Sequence, residues 1–155
     1  MLNNDILIRL RYALNITDLK LVELFELGGM PLAAEDIRPL FLKEDEKGFR
    51  ECDGRTLEAF LEGLVISRRG KKEGSPPVRP PRAIQPSNND VLKAVRIALQ
   101  LRDQDIVDIL RSADVQASKS EINALFRAKD HENFRLCGDQ FLRNFLAGLT
   151  KKYRA

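Results

Sequence analysis

The 155-residue sequence holds one histidine and two cysteines, few of the side chains from which most active sites and metal centres are assembled. The histidine, His131, has no counterpart in the related stretch described below, where Glu46 stands instead. Acid-base catalysis needs a base, an orienting group and a nucleophile to converge, and a lone loop histidine supplies one of the three. Cys52 and Cys137 are 85 positions apart and neither belongs to a CxxC pair, which falls short of a structural zinc set. In a reducing compartment they are expected to be thiols. No GxxxxGK[ST] or GxGxxG segment is present, so nothing marks a phosphate cradle. A membrane helix takes about 20 consecutive apolar residues, and no such run exists. The first residues also lack the basic, apolar, small-residue order of a signal peptide, so a cytoplasmic protein is expected. Period-two alternation is too brief anywhere for a sheet. Together these absences point to a non-enzymatic, all-α protein without metal or cofactor.

What the chain does contain is a repeat, the first feature to establish in any sequence. Asp45, Phe49, Arg50, Cys52, Leu57, Phe60, Leu61, Gly63 and Leu64 return 85 positions later as Asp130, Phe134, Arg135, Cys137, Leu142, Phe145, Leu146, Gly148 and Leu149. At the same offset Asn3, Asn4, Asp5, Leu7, Arg11, Ala13, Leu14, Asp18 and Val22 meet Asn88, Asn89, Asp90, Leu92, Arg96, Ala98, Leu99, Asp103 and Val107. Ile37, Leu40 and Phe41 meet Ile122, Leu125 and Phe126, which brings the identities to 21 of 62 gapless positions. A match of that length means two copies of one unit. A unit of about 65 residues buries only roughly 60% of the surface its unfolded chain exposes, so the copies are expected to dock.

Each copy reads as four helices. Asn4 looks like an N-cap, followed by Ile6, Leu7, Leu10 and Leu14 at one-face spacing, with Val91, Leu92, Val95 and Leu99 repeating it. A second helix carries Leu21, Val22, Leu24 and Phe25 and stops at Gly28 and Gly29, a good C-terminal signal. The third is short, and Pro39 shortens or bends it in the first copy. Its counterpart has Ser118 and Glu121 at capping-box spacing. A polar loop follows, then a fourth helix with Leu57, Phe60, Leu61 and Leu64 on one face. Gly63 and Gly148 lie inside the fourth helices, at about 1 kcal/mol against alanine, which suggests a second backbone close by. The expected organisation is a first repeat over 1–67, a basic, proline-rich linker over 68–87, and a second repeat over 88–155.

Formal charge is uneven. Residues 1–67 carry 8 basic and 13 acidic side chains, residues 68–82 carry 6 and 1, and residues 83–155 carry 12 and 9. Docking of a negative copy on a positive one is thereby favoured in orientation more than in strength.

Two groups of residues are candidates for binding. Asp45, Arg50 and Cys52, with Asp130, Arg135 and Cys137, recur in both copies. They form either a paired site, in which each arginine takes a carboxylate or phosphate as a planar fork, or a staple in which the arginine ties its loop to the aspartate and to carbonyls. The staple is the preferred reading. The other group is Arg68, Arg69, Lys71, Lys72, Arg79 and Arg82, with Lys151, Lys152 and Arg154 at the end of the second copy. Cations favour a helix C-terminus, and they also suit phosphates. Helices two and three could form a helix-turn-helix, although Glu35 and Asp36 would face phosphate with the wrong sign.

The opening Asn3, Asn4 and Asp5, the run Phe49, Arg50, Cys52, the helix end Phe60, Leu61, Gly63, Leu64 and the second-copy stretch Phe134, Arg135, Cys137, Gly138, Asp139, Gln140, Phe141, Leu142 resemble the YehS-like family of small bacterial cytoplasmic proteins. The resemblance covers nearly the whole chain and implies a bacterial source and a duplicated helical unit. It brings no established activity. The expected function is a non-enzymatic binding or regulatory protein with an unidentified protein partner. The alternative is a nucleic-acid-binding regulator using helix-turn-helix-like helices and the basic linker.

Overall fold

A computed structural model describes residues 1–70 and 85–154. Eight α-helices lie among them: α1 (Asn3–Leu14), α2 (Asp18–Leu27), α3 (Ala34–Ile37), α4 (Gly54–Arg69), α5 (Asn88–Leu99), α6 (Asp103–Ser112), α7 (Lys119–Leu125) and α8 (Asp139–Arg154). A 3-10 turn, Arg38–Phe41, continues α3. Among the described residues there is no strand, and no helix is long and apolar enough to cross a membrane. The architecture is the all-α duplication that the repeat implies.

The local chemistry sets the boundaries. α2 starts at Thr17, whose hydroxyl accepts the Lys20 amide at 3.2 Å. It ends at Gly28, and Gly29 then takes a φ of +86°, a backbone that glycine adopts at little cost. Pro39 has no amide to donate, and α3 tightens into the 3-10 turn one residue before it. α7, with no proline, reaches Leu125 from the reciprocal cap of Ser118 and Glu121. Asp53 caps α4 through the Thr56 amide at 2.8 Å and the Thr56 hydroxyl at 2.7 Å. Two expectations need correcting. α4 runs on to Arg69, into the stretch assigned to the linker. Asn4 is not a cap: α1 begins at Asn3, the Leu2 amide donates to the Asp5 carboxylate at 3.0 Å, and Asn4 lies within the first turn. Lys71, Lys72, Arg79 and Arg82, with most of the prolines read as linker, lie outside the described residues.

The two copies pack reciprocally. α1 lies against α8 and α4 against α5, while α1 and α4 of the same copy scarcely touch, as is also true of α5 and α8. Each copy thus gives its first helix to the last helix of the other, the pattern of a self-complementary two-fold interface. Inside each copy α4 packs on α2, and α8 on α6. A single core results, continuous from Leu7, Phe25 and Phe60 to Leu92, Leu110 and Phe145. Burying one such large side chain stabilises by about 1.5–3 kcal/mol, and an isolated copy would leave much of its α1 and α4 surface uncovered.

The helix-interior glycines are where backbones meet. A Cβ at Gly63 would collide with the carbonyl oxygen of Leu24, and one at Gly148 with that of Ile109. Leu24 and Ile109 are themselves counterparts in the repeat. Gly63→Ala and Gly148→Ala should therefore destabilise the protein despite better helix propensity, by about 1–3 kcal/mol for overpacking. Gly138→Ala has nothing within 4 Å of the added carbon and should stay within about 0.5 kcal/mol of wild type. Urea unfolding of the three variants measures the difference, and equal midpoints for Gly63→Ala and Gly138→Ala would contradict the close approach.

Candidate functional site

The duplicated loop between the third and fourth helices is fastened by asparagine. Asn4 is 1% exposed, a polar side chain buried in the core. Its amide nitrogen donates to the carbonyls of Leu40 and Arg50, both at 2.9 Å, and its oxygen accepts the Cys52 amide at 2.9 Å. Asn3 adds a bond to the Cys52 carbonyl at 3.0 Å. The second copy repeats the set: Asn89 donates to Leu125 and Arg135 and accepts from Cys137, each at 2.9 Å. Asn88 then donates to the Cys137 carbonyl at 3.0 Å. The Arg50 amide also donates to the Pro39 carbonyl, and the Arg135 amide to that of Ala124. It is the arginine backbone that these bonds hold.

The arginine side chains do something else. Arg50 is exposed, and its guanidinium makes no hydrogen bond among the described residues. The Arg135 fork reaches Glu121 at 3.2 Å, not Asp130, with both side chains about half exposed. Expected staples to Asp45 and Asp130 are therefore absent among the described residues, because both aspartates stand in solvent on the outer turn of the loop. Phe49 and Phe134 are only part-buried. Cys52 and Cys137 are free and buried. Burial pushes each thiol up to about 12, with Asp53 adding to the effect at Cys52 and Asp139 at Cys137. The exposed His131 ring accepts the Asn133 amide at 3.0 Å and so holds a turn.

A second polar set recurs that sequence reading left unassigned. Arg11 pairs with Asp18 and covers the Phe41 ring at 5.3 Å; Arg96 pairs with Asp103 at 2.9 Å and covers Phe126 at 4.6 Å. All six residues are identities of the repeat, and that identity was the available signal. These contacts tie the first helix of each copy to the second and to the end of the third.

Comparison with known proteins agrees with the duplication. A family described as a protein of unknown function, DUF1456, matches twice, over residues 3–70 and 88–155. The chain belongs to this family. It is 47% identical over 152 residues to the uncharacterized protein YehS of Escherichia coli strain K12, covering 98% of this chain and 96% of that one. No solved structure matches it. The two family units coincide with the two packed copies, α1–α4 and α5–α8.

Of the basic candidates that are described, Lys151 donates to the Ser112 carbonyl at 2.7 Å, and Arg154 to the Tyr12 carbonyl at 3.0 Å with its guanidinium 4.1 Å from the Tyr12 ring. Those two cations serve the C-terminal ends of neighbouring helices. Arg68, Arg69 and Lys152 are exposed. The third helix, four residues in one copy and seven in the other, is short for an element that must lay its side chains along a groove.

Removing the Asn4 amide leaves buried carbonyls and an amide unpaired, at about 1–3 kcal/mol or more. Asn4→Ala should thus lower the unfolding midpoint clearly, while Arg50→Ala stays within about 0.5 kcal/mol of wild type. The reverse order would make the arginine the staple. The thiols give a second expectation. Unfolded thiols ionise near 9 and the buried ones near 12, so the folded state is favoured below pH 9 and loses that advantage as pH rises from 9 to 12. Native protein at pH 8 should react with a bulky thiol reagent far more slowly than denatured protein, and equal rates would refute the burial.

Proposed function

We propose that the protein is a non-enzymatic binding or regulatory protein, its two helical repeats forming one body, and that Arg50 and Arg135 contact an anionic surface on a protein partner. The carrying observation is the separation of roles at the duplicated loop: an asparagine holds each arginine's carbonyl and the cysteine amide two residues on, while the guanidinium stands at the surface. A planar cation on a fixed backbone is suited to a carboxylate fork. Its recurrence in both copies, with the Arg50 guanidinium making no hydrogen bond among the described residues and Arg135 held by one half-exposed pair with Glu121, supports a paired site over a staple. Thiols held near 12 beside each loop favour recognition over nucleophilic chemistry, since the thiolate is the reactive form. A nucleic-acid regulator is the alternative, supported by the exposed Arg68, Arg69 and Lys152.

An affinity-tagged chain and its Arg50→Ala/Arg135→Ala variant, matched in melting temperature, would be used to capture partners from nuclease-treated bacterial lysate. The expected outcome is a protein partner held by wild type and lost by the variant. Equal recovery from both would overturn the role of the arginines. Binding to mixed nucleic acid that weakens steeply with salt, as phosphate contacts require, together with loss of capture after nuclease, would put the alternative in its place.

A further inference from the structure

The duplication supplies an internal comparison, and it singles out a groove in the first copy. Where the turn between α1 and α2 meets the end of α4, a cleft of about 250 Å³ opens over Leu14, Ile16, Leu24 and Leu64, with Lys20 and Arg68 on its lining. Arg154 reaches the same turn through Asn15 at 3.4 Å. Lys20 also pairs with Glu23 at 3.1 Å on the surface, and Glu23 is not on the lining. The first copy carries 8 basic and 13 acidic residues over 1–67, so Lys20 runs against the charge of its own unit, and Arg68 opens the basic stretch that follows it. At the matching positions the second copy has Asp105 for Lys20 and Tyr153 for Arg68. Tyr153 is 37% exposed, and burial raises its hydroxyl, with Arg68 acting the other way and Asp105 acting with it. Asp105 is meanwhile engaged by the Arg102 amide at 2.8 Å. Two copies of one fold thus carry opposite chemistry at one place, so the fold itself does not require the cations.

We infer that this groove takes a segment of a protein partner that presents a carboxylate beside an apolar side chain, the acid between Lys20 and Arg68 and the apolar group on the leucine and isoleucine floor. Charge complementarity names the acid. Size names the segment: small-molecule sites begin at roughly 300 Å³ and enclose most of their ligand, whereas this cleft is smaller and open. The site is apart from Arg50 and Arg135 and is tested without them.

A random-peptide library would be panned against the full chain, and selected peptides measured by fluorescence polarisation on wild type, Arg68→Lys and the double variant Lys20→Asp/Arg68→Tyr. The double variant installs the residues the second copy already carries, so it is expected to fold, and its melting temperature checks this. Selected peptides should carry Asp or Glu next to Leu, Ile, Val or Phe, bind the double variant at least tenfold more weakly, and keep most of their affinity for Arg68→Lys. Peptides without acidic residues, equal affinity for the double variant, or no enrichment at all would each overturn the inference. If these results hold while capture is indifferent to Arg50 and Arg135, the groove stands and the paired-arginine reading falls.

Discussion

A buried asparagine sets the geometry on which the rest depends. Asn4 has two donors and one acceptor to satisfy, and it meets two carbonyls and one amide from the 3-10 turn and the loop after it, more than 30 residues away in sequence. A carboxylate could not donate to those carbonyls, and an apolar residue would strand all three backbone groups at a site where unpaired polar atoms are costly. No buried side-chain nitrogen or oxygen lacks a partner among the described residues. Because Asn4 sits in the first turn of α1, tying down the loop also fixes where α1 lies relative to the 3-10 turn and the start of α4. Asn89 does the same for α5.

That fixed first helix then becomes the surface offered to the other copy. α1 meets α8 and α5 meets α4, and the glycines that let α4 and α8 approach α2 and α6 keep the last helices close to their own units. The frame is therefore made by the residues that recur, namely the asparagine pairs, the Arg11 and Arg96 sets and Gly63 with Gly148. Arg50 and Arg135 recur with their guanidinium groups at the surface, Arg135 in a half-exposed pair with Glu121, and Lys20 with Arg68 departs from what the second copy has at the same place.

Much of this frame was legible in the sequence. The gapless offset of 85 residues located both units, helical spacing located their helices, and the cost of glycine inside a helix pointed to close backbones at Gly63 and Gly148. Pro39 correctly marked a shortened third helix. Asn4 was misread because its side-chain type and position beside a helix start fit a local cap, while its true partners lie 36 to 48 residues on. Arg50 drew attention as a repeated charge, yet the recurring bonds there are made by its backbone, which residue identity does not report. Docking of the copies was expected, but a two-fold arrangement and a simple stacking were equally open, since the apolar faces of α1 and α4 would suit either their own copy or the other.

The most direct measurement of the asparagine account is native-state hydrogen exchange at the amides of Cys52 and Cys137. Both lie in loops without helical hydrogen bonding, and each donates to an asparagine oxygen at 2.9 Å. If these side chains anchor the fold, the two amides should exchange as slowly as those of the core helices, opening only with global unfolding. Exchange as fast as that of the neighbouring loop amides at Phe49 and Phe134 would contradict the account.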